Sequence, residues 1–563
     1  MTMEAEAPQQ TLMVDAREKD PESSSSERSD TKNTPEITYP SVWRQAIIVT
    51  GLLLGIFLAG LDINIIATAI PAITSHFNSL SESGWYGSAF FLAYSAFQSL
   101  WGKAYKYFDM KYVFLVSMLV FEIGCLIGGV APSSGALIVG RVIQGGGAAG
   151  ILSGCYSIAN FVSPADKVPL IIGMIGTIFS IASVIGPLLG GLFTSDPHLT
   201  WRWCFYINLP IGAVPILIIF FFFKTPPHAK MAKRDPAKEI ALSFDPLGVL
   251  LFSAALISYL LALTWGGTVK AWNSSTIIGL FIGWVLLTIV FVVNEFWQGE
   301  RALIVVRLFK KRDMWVNGIV MFFYFGAYFA IVYSLPTYFQ AVLGLTPGES
   351  GIRTIAIIGS TSVASLFGSV LVGKYGRYTL FHISGIGAAA ISGGLIYTLD
   401  IDTSLSKQLG YQILLGAGIG WIVQIPPIVA GIVNKNADKA IGTAAVLVIQ
   451  FYSASLGISA ASAIINNILV QKVPIYAPET TSAEVLSIGP YDLSARFSGA
   501  TLLGIKKAYI DGLRASWALS IGLWGVAFFC AFLAKWPGHI VPAQEDAGSD
   551  TEEKKPTISA RHV

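Results

Sequence analysis

The chain contains about fourteen apolar runs, each long enough to form a helix that crosses a lipid bilayer. About 20 mostly apolar residues cross roughly 30 Å of hydrocarbon, and backbone that faces lipid must be helical or part of a closed barrel. The runs are too long and too uniformly apolar for barrel strands. Only 13% of the residues are charged, about half the share found in ordinary soluble domains. The sequence therefore predicts an all-α integral membrane protein.

The predicted spans group into two bundles separated by two additional helices. They lie near 46–66, 84–104, 112–131, 136–156, 168–193, 203–223, 246–265, 276–294, 314–336, 351–372, 379–398, 408–432, 441–468 and 514–535. The predicted organisation is a tail at 1–42, a six-helix bundle at 43–223, a basic linker at 224–245, two inserted helices at 246–295, a second six-helix bundle at 296–535 with a long outer loop near 470–513, and a tail at 536–563. A weak repeat supports two bundles, because "GKAYKYFDMK" follows the second span and "GKYGRY" follows the tenth.

The distribution of Lys and Arg predicts the orientation. The richest connections are "KTPPHAKMAKRDPAKE" and "RLFKKRD", and both lie inside when the N-terminus is cytosolic. Residues 1–42 are polar and lack the apolar core of a signal peptide, so we expect a disordered cytosolic tail. Both termini are then cytosolic. Asn273, in "NSS", lies in a predicted outer loop and is a candidate glycosylation site.

Two charged residues lie at similar depth inside predicted spans. At 1.5 Å per residue, Asp62 in "LDINIIATAIP" is about 24 Å from the inner end of the first span, and Arg141 is about 8 Å from the outer end of the fourth. Charges within a membrane face the bundle interior or a cavity and usually have a partner. We therefore predict an Asp62–Arg141 pair. The alternative is a static brace with no part in turnover.

Glu122, in "LVFEIGCLIGG", is a second carboxylate near the middle of a span. Such carboxylates serve as proton relays in pumps and transporters, and the alternative is a neutral, hydrogen-bonded structural residue. We expect Glu295 to extend to the membrane interface and His382 to be structural. We expect some of the seven amide side chains within spans to line a substrate cavity and others to bridge helices: Gln98, Gln144, Gln340, Gln424, Gln450, Asn466 and Asn467.

Several functional classes are excluded by what the motifs lack. "GGGAAG" at 145–150 matches a dinucleotide fingerprint in letters only, because it lies inside a helix and follows no strand. No ATP-binding loop occurs, so an ion or substrate gradient must supply the energy for transport. The four Cys show no metal or disulfide spacing, and the six His form no catalytic pair with an acid. We expect no enzyme activity, no metal, no cofactor beyond a proton gradient and no nucleic-acid partner.

Five motifs resemble the major facilitator superfamily in order and spacing. They are "LDINIIATAIP", "GKAYKYFDMK", "LIVGRVIQGGGAAG", "ASVIGPLLGG" and "WRWCFYINLPIG". The chain is most similar to the fourteen-span drug:proton antiporters of that family, in the fungal toxin and multidrug efflux branch. The resemblance implies two six-helix bundles plus two extra central helices, and it covers most of 43–535.

The resemblance also implies roles for particular residues. It places the transport function at Asp62, Arg141 and Gln144, with Arg141 implicated in proton coupling, and the conformational motifs at Gly102, Gly145, Gly186, Pro187, Gly190 and Gly191. Glu122 joins the proton-coupling candidates because it lies near the middle of a span. Two positions depart from the family pattern. Lys106 stands where the loop motif has an Asp that holds the outward-open state, and Asn64 replaces a Thr. We therefore expect that state to be held by other contacts here.

The resulting prediction is a proton-coupled efflux transporter that exports amphipathic small molecules by alternating access. Its partners would be protons, a small-molecule substrate and the lipid bilayer, with the chain acting as a monomer. The alternatives are a siderophore or basic amino-acid transporter of the same fourteen-span group, or a non-transporting sensor on the same fold. We expect a multi-pass protein of the cell membrane, with a vacuolar or vesicle membrane as the alternative.

Overall fold

The computed structural model describes residues 40–163, 168–196, 198–225, 242–375, 377–434 and 438–534. Within these ranges the chain is helical and contains no β-strand. The long helices are α1 (Val42–Phe77), α2 (Ser83–Tyr107), α3 (Met110–Val130), α4 (Ser134–Val162), α5 (Val168–Ser195), α6 (Trp203–Phe222), α7 (Pro246–Trp265), α8 (Ser275–Gln298), α9 (Arg312–Thr337), α10 (Pro347–Tyr375), α11 (Tyr378–Tyr397), α12 (Leu405–Val433), α13 (Lys439–Tyr476) and α14 (Gly499–Ala531).

Thirteen helices of the described chain are long and apolar enough to cross a membrane. The remaining long helix, α2, packs against α4 and α13 in the same bundle. α3 shows how the apolar pattern divides between lipid and core. Val116, Leu119, Ile123 and Leu126 recur at helical spacing and are about half exposed, as expected for a face in contact with lipid. The predicted all-α membrane fold of about fourteen helices is confirmed.

The helices before residue 223 pack mainly with one another, and so do those after residue 311. In the first group α1 contacts α5 and α6, while α4 contacts α2 and α3. In the second group α9 contacts α13 and α14, while α12 contacts α10 and α11. α7 and α8 pair with each other, and α7 also contacts α2 and α13. The two groups meet along α5 with α10 and along α2 with α13, which leaves a cavity between them.

Hydrogen bonds join the two groups near the ends of the helices that are predicted to be outer. Ser88 and Ser459 approach to 2.8 Å between their hydroxyl oxygens. The Tyr333 hydroxyl donates to the carbonyl oxygen of Ile63 at 3.1 Å. These contacts join the two groups on the predicted outer side, whereas the residues of α5, α12 and α13 that line the cavity lie nearer the predicted inner ends of those helices.

The prediction of a long outer loop at 470–513 is wrong, because most of this range is helical or part of a shorter connection. α13 continues to Tyr476 and α14 already begins at Gly499. Only 477–498 connects them, and this segment contains two short helices, Ser482–Ser487 and Leu493–Arg496. At 33 residues α14 is longer than the roughly 20 that cross a bilayer. Its first turns are charged and extend beyond the apolar part, so their composition resembles that of a loop.

The prediction that Glu295 extends to the interface is wrong. Its side chain is only 3% exposed, and its carboxylate accepts hydrogen bonds from the backbone N–H groups of Ile304 at 2.5 Å and Leu303 at 3.4 Å. The chain reverses directly after α8, at Gly299, whose φ of 58° suits a residue without a side chain. The reversal folds 302–305 back onto α8 and covers the carboxylate.

Three predicted segments fall wholly or largely outside the described residues. They are the N-terminal tail, the central part of the basic linker and the C-terminal tail: 1–39, 226–241 and 535–563.

Candidate functional site

Asp62 lies at the centre of a buried polar cluster built by α1, α4 and α6. Its side chain is fully buried. Arg141 donates from Nη1 to Oδ2 at 2.5 Å, while Gln144 and Asn208 donate to Oδ1 at 3.1 and 3.3 Å. Three donors thus compensate one carboxylate, which is how a buried charge is retained within a bundle.

Arg141 is held by further contacts on its own side of the cluster. Its Nε donates to the carbonyl oxygen of Tyr86 at 3.0 Å, and its Nη1 also donates to Oε1 of Gln144 at 3.1 Å. The guanidinium carbon lies 4.5 Å from the ring centroid of Phe90, a cation–π distance. The structure therefore brings together Asp62, Arg141 and Gln144, as their depths and motifs predicted.

Asn208 is a member of this cluster that the sequence analysis did not select. It belongs to the motif "WRWCFYINLPIG" and lies two residues after Tyr206, where the first turn of α6 ends. The signal that could have identified it is an amide inside an otherwise apolar span. Cys125 of α3 also contacts the cluster, because its sulfur accepts from Nε2 of Gln144 at 3.1 Å.

Glu122 lies outside the Asp62 cluster but close to it. It is 8% exposed, and neither carboxylate oxygen has a hydrogen-bond donor among the described residues. One turn further along α3, Cys125 contacts both Gln144 and Asn208. A Cβ atom at Gly212 of α6 would collide with Oε1 of Glu122. The absence of a side chain at Gly212 therefore leaves the space that Glu122 occupies.

The glycines of the fifth-span motif bring α5 close to α1 and α10. A Cβ atom at Gly186 would lie 2.9 Å from Cβ of Asn64, and one at Gly190 would overlap the carbonyl oxygen of Ile65. On the opposite side, a Cβ atom at Gly191 would lie 2.6 Å from the carbonyl oxygen of Pro347. Small residues permit this backbone approach between membrane helices.

The other motif residues make contacts of the same kind. The carbonyl oxygen of Pro187 accepts from Thr68 Oγ1 at 3.2 Å, which ties α5 to α1. A Cβ atom at Gly145 would overlap the backbone of Phe90 on α2. Gly102 faces α13, where a Cβ atom would meet that of Ala444 at 3.7 Å. The Pro187 and Gly145 contacts hold helices of the first group together, whereas the Gly102 contact joins the two groups.

The loop motif after α2 is held by Lys103 and Asp109. The buried Lys103 ammonium donates to the carbonyl oxygens of Arg301 and Ala302 at 2.8 and 2.9 Å. Asp109 caps α3 by accepting from Lys111 N at 3.0 Å and also accepts from Thr225 Oγ1 at 2.5 Å. Lys106, at the position that departs from the family pattern, is exposed. Lys103 was not selected from the sequence, because its acceptors are backbone groups.

A central cavity of about 100 Å³ lies between the two groups of helices. Aromatic and hydroxyl-bearing side chains supply much of its wall. Asn64, Gln424 and Gln450 are the amides that line it: Asn64 from α1, Gln424 from the junction within α12, and Gln450 from α13. Asp62, Glu122 and Arg141 do not line it.

The other predicted amides have different positions. Gln98 donates to Ser153 Oγ at 3.0 Å, Gln340 to the carbonyl oxygen of Thr68 at 3.4 Å and Asn467 to that of Gly266 at 3.0 Å. These three bridge helices, whereas Asn466 lines a separate small pocket on the predicted outer side.

The remaining candidate residues lie in neither the Asp62 cluster nor the wall of the central cavity. His382 is fully buried with its ring centroid 5.6 Å from that of Tyr378. Asn273 is exposed in the turn that precedes α8. Among the described residues, no group of three or more His, Cys, Asp or Glu side chains is placed to hold a metal ion.

Comparisons with known proteins agree on one family. The family model for the Major Facilitator Superfamily matches residues 52–462. The chain is 41% identical to the MFS-type transporter thnB of Trichoderma harzianum, covering 87% of this chain and 84% of that protein. It is 39% identical to the probable efflux pump gsfJ of Penicillium aethiopicum, covering 90% and 91%.

Solved structures support the same fold. A bacterial homologue of the human lysosomal transporter Spinster, in an inward-facing and unoccupied conformation, aligns with a TM-score of 0.61 at 15% identity. The alignment covers 88% of this chain and 97% of that one. Members of this family are transporters and not enzymes, as the absence of a catalytic pair predicted. The chain therefore belongs to the major facilitator superfamily, among relatives described as fungal transporters and efflux pumps, and is a multi-pass membrane transporter of small molecules.

Proposed function

We propose that the protein exports amphipathic small molecules in exchange for protons, by alternating access between its two groups of helices. The observation that carries the proposal is the pair of buried carboxylates, Asp62 and Glu122, in the first group. Asp62 directly precedes Ile63 and Asn64, which line the central cavity. A change in the protonation of these carboxylates would therefore alter the position of α1, which lines the cavity through Ile63 and Asn64.

Glu122 is the preferred proton carrier of the two. Arg141, Gln144 and Asn208 all donate to Asp62, whereas no donor among the described residues contacts Glu122. A carboxylate buried without a partner costs several kcal/mol, while a neutral carboxyl group costs much less. Gain and loss of a proton at Glu122 would therefore change the free energy of the surrounding helices by enough to bias a conformational equilibrium.

Three further features support export by alternating access. The hydrogen bonds on the predicted outer side and the cavity that extends toward the predicted inner side describe one end state of such a cycle. The contact of Gly191 on α5 with α10 provides a close-packed surface along which the two groups can move. Relatives at about 40% identity are described as efflux pumps. The proposal places the transporter as a monomer in the cell membrane, with both termini cytosolic.

The siderophore and basic amino-acid alternatives find no specific support in the cavity. A site for a basic substrate is expected to present acidic side chains, and the cavity wall described here contains none. No feature of the described residues favours the alternative of a non-transporting sensor.

Dye export from cells tests the energy source. Cells that express the protein would be loaded with Nile red, an uncharged amphipathic dye, and export would be compared with that of cells carrying an empty vector. We expect a protonophore to abolish the difference. With ATP depleted and an acidic exterior imposed, we expect export to continue. Export that survives collapse of the proton gradient contradicts the proposed coupling.

A further inference from the structure

The wall of the central cavity carries no formal charge. No described side chain that lines it belongs to Asp, Glu, Lys, Arg or His. The nearest charge along the chain is that of Asp62, which is buried against α4 and α6 and compensated there by Arg141. An ion that entered the cavity would find no opposite charge on the wall, and removing an ion from water without a partner is unfavourable.

The second group of helices supplies a cluster of aromatic rings to this wall. Phe325 and Phe329 lie one turn apart on α9, with ring centroids 4.8 Å apart. The ring centroid of Phe451, on α13, lies 5.8 Å from that of Phe325. Aromatic rings at such distances pack in edge-to-face and offset arrangements, which a further planar ring can extend. The cavity therefore suits a flat aromatic molecule.

One buried amide oxygen of the described cavity wall has no hydrogen-bond donor. Gln450 is 6% exposed, and no described donor contacts its Oε1. A buried acceptor without a donor is unfavourable, so a rotation of the amide that brings this oxygen to the cavity surface lets a hydroxyl or N–H group of a ligand donate to it without displacing a hydrogen bond within the protein. Gln450 thus adds a directional contact to an uncharged wall that also carries aromatic rings and hydroxyl groups.

We propose that the cavity selects uncharged aromatic molecules that carry a hydroxyl group, and that Gln450 is the specificity-determining residue that recognises this hydroxyl. The proposal rests on the transport function proposed above, because it specifies the substrate of the same cavity. The aromatic ring packs against Phe325, Phe329 and Phe451, and the hydroxyl donates to Oε1 of Gln450. A charged analogue is rejected because no side chain of the wall pairs with it.

Calorimetric titration of the full-length protein in lipid nanodiscs tests the substrate class without any ion gradient. Four probes share one ring system and one position of substitution: naphthol, methoxynaphthalene, naphthoate and naphthylmethylammonium. Empty nanodiscs correct for partition into lipid. We expect naphthol to bind most tightly and both ions to bind at least about 10-fold more weakly. An ion that binds as tightly as naphthol overturns the uncharged class, as does the absence of naphthol binding.

The variant Gln450→Met tests the recognition of the hydroxyl. We expect its affinity for naphthol to fall about 3- to 10-fold, the effect of one neutral hydrogen bond, while its affinity for methoxynaphthalene stays unchanged. Gln412→Met is the matched control. Gln412 is 1% exposed and its Oε1 also lacks a described donor, but it lies outside the cavity. We expect this control to bind both probes as the wild-type protein does.

Two results would overturn the role of Gln450: unchanged naphthol affinity in Gln450→Met, or an equal loss of affinity for naphthol and methoxynaphthalene. Because binding is measured without a gradient, the two proposals fail separately. Export that ignores the proton gradient, combined with the expected binding order, refutes only the proton coupling. Proton-driven export combined with tight binding of an ion refutes only the substrate class.

Discussion

Neutralising Asp62 and Arg141 singly and then together separates a role in transport from a role in structure. The three variants are Asp62→Asn, Arg141→Gln and the double variant that contains both. The single changes each leave one buried charge without its ion-pair partner. The double variant leaves no buried charge at this site and retains side chains that can hydrogen-bond to each other.

The contacts of the pair set the expected magnitudes. Arg141→Gln removes the 2.5 Å ion pair with Asp62 and the bond to the Tyr86 carbonyl oxygen, leaving Gln144 and Asn208 as donors to a buried carboxylate. Breaking a buried pair in this way costs about 3–5 kcal/mol of unfolding free energy, whereas replacing both charges is often close to neutral. We expect the double variant to recover most of the stability that the single variants lose.

Stability and transport are measured in parallel on these variants. Denaturant unfolding of purified protein gives the free energies, and uphill dye export, normalised to the amount of protein at the cell surface, gives the activity. We expect uphill export to be lost in all three variants, including the stable double variant. Wild-type export by the double variant would show that the pair is only a brace. Single variants as stable as the wild type would refute the energetic argument.

Three further predictions follow from the other sites. Gly186→Leu should block conformational exchange while substrate still binds, because the side chain has no room against α1; Gly173→Leu, on the same helix with nothing within 4 Å of its Cβ position, is the tolerated control. Glu122→Gln should retain downhill substrate exchange but lose proton-driven uphill export in vesicles, and unchanged uphill export would exclude Glu122 as the carrier. Lys103→Met should lower unfolding free energy by about 1–3 kcal/mol because the carbonyl oxygens of Arg301 and Ala302 lose their buried donor, whereas Lys106→Met, at an exposed position, should change it by less than about 0.5 kcal/mol.

The membrane fold and the Asp62–Arg141 pair could be predicted because both follow from distances along helices. A run of apolar residues fixes where a span lies, and the rise per residue then fixes the depth of each charge. Two opposite charges at the same depth within a bundle are expected to form an ion pair, because an unpaired charge there is costly. Asn208 could not be placed in the same way, because an uncharged amide can bond to many groups in a bundle and its depth does not require one particular partner.

The contacts of Lys103 and Glu295 could not be predicted in the same way. Both side chains bond to backbone groups of 301–304, which have no signature in the residue types. Their positions depend on the chain reversal at Gly299, and a single Gly after a helix is compatible with many paths. The start of α14 was misplaced for a related reason, because charged residues in its first turns resemble a loop until the packing of the helix is known.

Proton movement driven by substrate tests the central claim most directly. Purified protein would be reconstituted into liposomes that contain a pH-sensitive dye and no ion gradient, and naphthol would be added on one side. An exchanger of protons for substrate predicts that inward movement of naphthol drives protons out, so the lumen becomes more alkaline than in protein-free liposomes. The same change should be absent with Glu122→Gln. Naphthol uptake by the wild-type protein without any change in luminal pH would contradict the account.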